Sequence, residues 1–238
     1  MNFVIVSLPR TGTSMLVNAL DSLEGFNVYG ELFATGGQEY FEIIHPQQVQ
    51  QQMLERRVRE GFYNKKGKSC SAYLDNIFSK QGNVGFKLLY PHVKKLPELI
   101  NEINKRDVHK ILMYRTNMLK RVVSGFTNRR ELPIVLDPSV ALDAIVRSKK
   151  EEGQLFRWFS KGKHMKISYE ELTEGKDALE LNLSRVWNFL GVDMPSIVES
   201  PLRKYASPLI EDRLENYKEF RAYFEKHASH LLRFFDET

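Results

Sequence analysis

Residues 1–20 read MNFVIVSLPRTGTSMLVNAL, and the fold turns on how this stretch is parsed. The apolar run 3–6 lacks polar alternation, as expected of a strand buried on both faces of a parallel sheet. Ser7-Leu8-Pro9-Arg10-Thr11-Gly12-Thr13-Ser14 follows, a tight turn rich in hydroxyls with one arginine and one glycine. Beyond it Met15, Leu16, Ala19, Leu20 and Leu23 fall near the 3.6-residue period of a helix. A strand, a glycine turn and a helix start together make a cradle for an anion. The first-turn amides are unpaired and point outward, and the helix dipole adds positive potential. Thr11, Thr13 and Ser14 add hydroxyl donors and Arg10 a charged fork, so a phosphate is the expected ligand. The same hydroxyls also suit a plain helix cap.

Outward from this unit the pattern repeats. Further strands are expected at 84–90, 109–114 and 164–169, with helical patterns at 93–104, 117–129, 140–159 and 178–190. A last amphipathic helix runs to about 235. Strand alternating with helix predicts an α/β, P-loop-like, three-layer fold with a central mainly parallel sheet and helices on both faces. Segment 37–80 contains PQQVQQQMLERRVREGFYNKKGK and reads as a polar helical insert, either a solvated helix face or a lid. Segment 191–208 reads as a proline-rich loop. No repeat or linker divides the chain, so 1–238 is expected to be one domain.

Composition narrows the function. The 42% hydrophobic content of this 238-residue chain allows a sizeable core. A net charge of +5 fits an anionic ligand, without the dense basic patch of a nucleic-acid binder. The lone cysteine, Cys70, excludes an intrachain disulfide and is either structural or a nucleophile. There is no leader-like start and no apolar run near 18 residues, which suits a soluble cytoplasmic protein or a trimmed luminal domain.

The cradle differs from the nucleoside-triphosphatase loop G-x-x-x-x-G-K-[ST]. It has Gly12, but neither the first glycine nor the lysine, and Arg10 precedes the glycine instead. A Mg²⁺ site would also call for an Asp at the end of a neighbouring apolar strand. Strand 84–90 runs into Pro91 and strand 109–114 into Arg115, while Glu170 and Glu171 follow an alternating strand that matches poorly. The expected ligand is therefore a phosphate compound whose chemistry needs no metal.

A second anion contact is suggested by KILMYRTNMLKRVVSGF at 110–126. Arg115 falls just past a buried strand, at the carboxyl edge where open α/β sheets bind ligands, and Ser124 lies nine residues on in the following helix. Taken with SLPRTGTSML, this pair resembles the PAPS-dependent sulfotransferases, and most closely the bacterial carbohydrate sulfotransferases of Nod-factor and trehalose type. The shared pattern is a P-R-[ST]-G-[ST] turn at 9–13, the pair Gly30-Glu31 and the strand Gly85-Phe86-Lys87. It continues with Arg115, Leu119, Arg121 and Ser124, the Y-E-x-L segment at 169–172, and RVWNFLGV at 185–192. The insert at 37–80 is not covered.

The resemblance implies transfer of a sulfuryl group from PAPS (3′-phosphoadenosine-5′-phosphosulfate) to a hydroxyl on a carbohydrate or glycolipid, without a metal. It places the 5′-phosphosulfate on Pro9, Arg10, Thr11, Gly12, Thr13 and Ser14, and the 3′-phosphate on Arg115 and Ser124. Arg10 would stabilise the leaving phosphate. Glu31 matches the general base, and His92 is its competitor, because the cytosolic branch of the family uses histidine. Lys87 would face the site from its strand, on the substrate side, or is a snorkelling edge residue, and Arg203 and Lys204 belong to a loop that closes over the nucleotide. Arg129 and Arg130 meet an anionic acceptor or end a solvated helix, and Tyr169 with Glu170 is expected to pack around the sheet. The implied partners are the nucleotide donor and a hydroxyl-bearing small molecule or glycan; a homo-oligomer stays open. The alternatives are a non-catalytic nucleotide-binding relative and a P-loop kinase, the latter disfavoured by the missing lysine and strand-end Asp.

Overall fold

The opening run forms β1 (Asn2–Ser7), the middle strand of five. The computed structural model describes residues 1–34, 70–127, 132–193 and 209–236. β1 pairs in parallel with β3 (Asn83–Leu89) on one side and β4 (His109–Tyr114) on the other. β2 (Phe26–Tyr29) lies outside β3, and β5 (His164–Ser168) outside β4, both parallel. The order β2-β3-β1-β4-β5 makes the chain step from β1 to one side and then cross to the other. The carboxyl ends of β1, β3 and β4 thus flank the point where the winding reverses, the ligand crevice of open α/β sheets.

Both faces are apolar, as the unalternated strands require. Val4, Val6, Phe86, Leu88 and Leu112 pack with α2 (Cys70–Phe78), α4 (Glu98–Asn104) and the end of α6 (Pro138–Phe159). Phe3, Ile5, Ile111, Met113 and Ile167 pack with α1 (Thr13–Asp21) and α7 (Lys176–Leu190). A third cluster joins α5 (Met118–Phe126), the first half of α6 and α8 (Tyr217–His227). Among the described residues no helix is long and apolar enough to cross a membrane.

Four expectations needed adjustment. The helix at 93–104 is two: α3 (Tyr90–Lys95) stops at Leu96, in a non-helical conformation, because Pro97 follows. The pattern at 140–159 starts earlier, at Pro138, where the Asp137 carboxylate accepts the Ser139 and Val140 amides at 2.8 and 3.4 Å. The last amphipathic helix is broken after His227, and a short α9 (Arg233–Asp236) follows. The end of the 37–80 segment is helical but not a solvated face, since Cys70, Tyr73, Leu74 and Ile77 of α2 are in the core. Residues 35–69 of that insert, the loop at 194–208, and with them Arg129, Arg130, Arg203 and Lys204, lie outside the described residues.

Candidate active site at the carboxyl edge of the sheet

The turn after β1 bends into the left-handed region twice, at Arg10 (φ 65°) and at Gly12 (φ 79°). Alternating hand along successive residues turns backbone N–H groups toward one concavity. The Thr11 hydroxyl donates to the Leu8 carbonyl at 2.7 Å, so this buried side chain pins the turn and its donor is spent internally. Gly12 is the N-cap of α1 and brings no side chain to cap it; the Met15 amide donates to the Gly12 carbonyl at 2.9 Å, which leaves the Thr13 and Ser14 amides to a ligand. A Cβ on Gly12 would stand 2.2 Å from Cδ2 of Tyr169, so the glycine meets both a backbone and a packing need. Arg121, buried in α5, reaches under the turn and donates from Nη1 to the Pro9 carbonyl at 3.0 Å.

Beside the cradle stands a carboxylate. Glu31 follows β2 and is held by its neighbours: Leu32 and Phe33 are buried, and the Lys87 amide donates to the Gly30 carbonyl at 3.1 Å. Lys87, on β3, places its ammonium 2.9 Å from Glu31 Oε1 and donates to Ser14 Oγ at 3.3 Å. One ammonium thus bridges the α1 N-terminus and Glu31. On the other side His92 Nε2 lies 3.4 Å from Glu31 Oε2. His92 Nδ1 accepts the Leu89 amide at 3.1 Å, so its ring proton belongs on Nε2, facing Glu31. Burial by itself raises the Glu31 pKa, but the His92 hydrogen bond and the Lys87 charge outweigh it and bring it to about 2.

The second basic group is Arg115, past the end of β4. Its guanidinium lies over the Tyr169 ring, 4.6 Å from the centroid, and Nε is 3.7 Å from Glu170 Oε1. That separation is too long for a hydrogen bond, and Nε is buried without one. Burial lowers the Arg115 pKa, while Tyr169 and Glu170 act to raise it. The Ser124 hydroxyl meets Arg10, 3.4 Å from Nε and 3.3 Å from Nη2.

The structure therefore brings Arg10, Gly12, Ser14, Glu31, Lys87, His92 and Ser124 to the crevice, with Arg115 joined to the turn through Tyr169. Sequence reasoning gave Tyr169 only a packing role and did not place Arg121 under the turn. It missed Arg213, whose pKa is lowered by burial and then by the charges of Arg115 and Arg10, which puts three guanidinium groups in one region. It also missed Glu152, on α6, whose Oε1 is buried without a hydrogen-bond partner. Arg121 left a signal, its place between Leu119 and Ser124 in the pattern that carried the resemblance; Arg213 left none.

No protein-family profile matches the chain, and no curated protein does. Among solved structures, the sulfotransferase from Alicyclobacillus acidocaldarius superposes with a TM-score of 0.52 at 15% identity, covering 100% of this chain and 96% of that one. Sulfotransferase STF9 from Mycobacterium avium gives 0.47 at 12% identity, over 96% of this chain and 76% of that one. Mouse sulfotransferase SULT7A1 complexed with PAP gives 0.46 at 13%, over 100% and 89%. With the first of these the chain shares its fold: the parallel sheet and surrounding helices are those of the sulfotransferase-type, P-loop-like α/β architecture.

Proposed function

We infer that this protein is a sulfotransferase that moves the sulfuryl group of PAPS to an acceptor hydroxyl, on a carbohydrate or glycolipid. The observation that carries this reading is the Lys87 ammonium, 2.9 Å from Glu31 and 3.3 Å from Ser14. It joins an anion cradle to a carboxylate that can take a proton. The residues fit a nucleotide with two phosphate positions. Gly12 leaves the α1 amides uncapped, and the terminal nitrogens of Arg115 make no hydrogen bond among the described residues.

Each residue then has a task. The α1 amides, Ser14 and Lys87 hold the phosphosulfate. Glu31 takes the proton of the acceptor hydroxyl as its oxygen bonds to sulfur. The bond from sulfur to the 5′-phosphate breaks, and Arg10 with Lys87 stabilises the charge left on that phosphate. Arg115 binds the 3′-phosphate. His92 serves Glu31 as a hydrogen-bond donor, since its Nδ1 lone pair is already committed to the Leu89 amide.

Calorimetry with adenosine 3′,5′-bisphosphate tests the reading. Binding is expected without Mg²⁺. Arg115→Ala, which removes charge-assisted hydrogen bonds, is expected to weaken it roughly ten- to a hundredfold. Tight binding of Mg²⁺–ATP with none of the bisphosphate would overturn it.

A further inference from the structure

Glu170 poses a problem that packing around the sheet does not answer: it places a carboxylate 3.7 Å from the arginine assigned to an anion. A negative charge there repels the ligand, so its presence needs an offsetting gain. Its surroundings supply one. Oε2 accepts the Thr116 amide at 2.9 Å and Oε1 accepts the Asn117 amide at 3.2 Å. The carboxylate is thereby fixed in a two-point grip on the backbone just after Arg115, ahead of α5. The next amide requirement is met locally, because the Asn117 side chain accepts the Lys120 amide at 2.9 Å.

Two consequences follow for Arg115. Its guanidinium has the Tyr169 ring against one face and the Glu170 carboxylate on its Nε edge. With that edge facing Glu170, the fork of terminal nitrogens is turned away from the carboxylate. Glu170 also takes the Thr116 and Asn117 amides just ahead of α5, so an anion arriving beside Arg115 meets the fork and not those two amides as its donor. Tyr169 in turn lies against Gly12, close enough that a Cβ there would collide with its ring. Glu170 and Tyr169 are consecutive, and together they fix the Arg115 fork relative to the phosphosulfate turn.

We propose that Glu170 is a positioning residue for the 3′-phosphate: it grips the backbone after Arg115 and holds the guanidinium edge-on, so that the fork is oriented before the nucleotide arrives. This rests on the sulfotransferase reading of the site. It deepens that reading by assigning the discrimination between nucleotides with and without a 3′-phosphate to a residue that touches neither.

The test compares adenosine 3′,5′-bisphosphate with adenosine 5′-monophosphate, which lacks the 3′ group, by calorimetry on the full chain. Glu170→Gln has one oxygen for two amides and no charge to set the Arg115 edge. Bisphosphate affinity is expected to fall about tenfold while monophosphate affinity changes less than about twofold, so the ratio collapses. Glu170→Asp, which keeps the charge and both acceptor atoms on a shorter arm, is expected to restore part of the ratio. Thermal unfolding of each variant reports the cap separately. A lower melting temperature with an unchanged affinity ratio would reduce Glu170 to a helix cap and overturn the proposal. A rise in bisphosphate affinity would also overturn it, by showing that the carboxylate only repels the ligand. Wild-type protein that binds neither nucleotide would overturn the sulfotransferase reading and this proposal with it. Wild-type protein that prefers the bisphosphate, with variants that keep the same preference, would overturn this proposal alone.

Discussion

His92 accepts the Leu89 amide at Nδ1, and its remaining ring proton points from Nε2 toward Glu31. A histidine in that state has no lone pair to offer an acceptor hydroxyl, whereas the Glu31 carboxylate has. Glu31→Gln is therefore expected to cut turnover about 10²- to 10⁴-fold with bisphosphate affinity nearly unchanged, and His92→Asn to cost much less. Turnover and affinity measured side by side check this; a dead His92→Asn beside an active Glu31→Gln would reverse the roles. A resting pKa of about 2 makes Glu31 a weak base, and Lys87 is one of the causes. If Lys87 turns to the phosphosulfate when the donor binds, the acid limb of kcat lies at higher pH than that of kcat/KM. Glu152 shows the opposite shift: burial raises its carboxyl from 4.5 to about 7, against the pull of Arg121. Between those values the folded protein holds a proton that the unfolded chain has lost, so Glu152 makes stability fall as pH rises through that window. Urea unfolding should show wild type losing stability relative to Glu152→Gln, on the order of 1–3 kcal/mol once solvent screening of this half-buried group is allowed for, from pH about 4.5 to above 7. A difference that stays flat with pH would sink this assignment.

At the scale of elements, the strand–turn–helix unit is held shut from outside by β5 and α5. Tyr169 covers Gly12 and Arg121 holds the Pro9 carbonyl. Gly12→Ala combines a left-handed φ with a Cβ 2.2 Å from the Tyr169 ring. Gly25→Ala is the natural control, because its φ is 76° but nothing lies within 4 Å of the added carbon. Gly25→Ala is expected to cost about 1 kcal/mol from the backbone alone and to leave bisphosphate binding intact. Gly12→Ala is expected to cost more, about 2–4 kcal/mol, and to weaken binding, because the ring must move off the turn. Equal costs in denaturant melts would show that the Tyr169 contact is slack. The same unit explains what the sequence could reveal. Uninterrupted apolar strands and 3.6-periodic helices are local signals, and β1, β3, β4, α1 and α7 were readable from them, as β5 was from its alternation. β2, with the four residues FNVY, carries no such pattern and is a strand because β3 offers it an edge. The split at Pro97 was written in the sequence as a residue that disfavours helix before it, yet the surrounding periodicity masked it. Which arginine Ser124 would meet was not readable, since that depends on how far α5 tilts toward the turn.

The whole molecule decides where its charge goes. A net +5 is modest, but the order β2-β3-β1-β4-β5 gathers the loops after β1, β3 and β4 at one crevice. Arg10, Lys87, Arg115 with Arg121, and Arg213 arrive there from four separate stretches of chain, against the carboxylates Glu31 and Glu170. A field assembled from distant segments is invisible in a local window, which is why Arg213 escaped notice while Arg10 did not. Such a field should bind a doubly phosphorylated nucleotide more tightly than a singly phosphorylated one, with a strong dependence on salt. Adenosine 3′,5′-bisphosphate at about a hundred times its dissociation constant adds about 2.7 kcal/mol to stability by linkage. For a chain of this length that is roughly 5–10 °C in melting temperature, unchanged by a chelator. Raising NaCl from about 0.05 to 0.5 M should shrink the shift, because partly exposed charges are screened over a few ångströms at the higher value. The shift for Arg115→Ala should be smaller at every salt concentration and less steep against it, having one charge fewer to screen. Parallel salt slopes for wild type and Arg115→Ala would mean that Arg115 never meets the phosphate and that the basic field acts through Arg10, Lys87 and Arg213 alone.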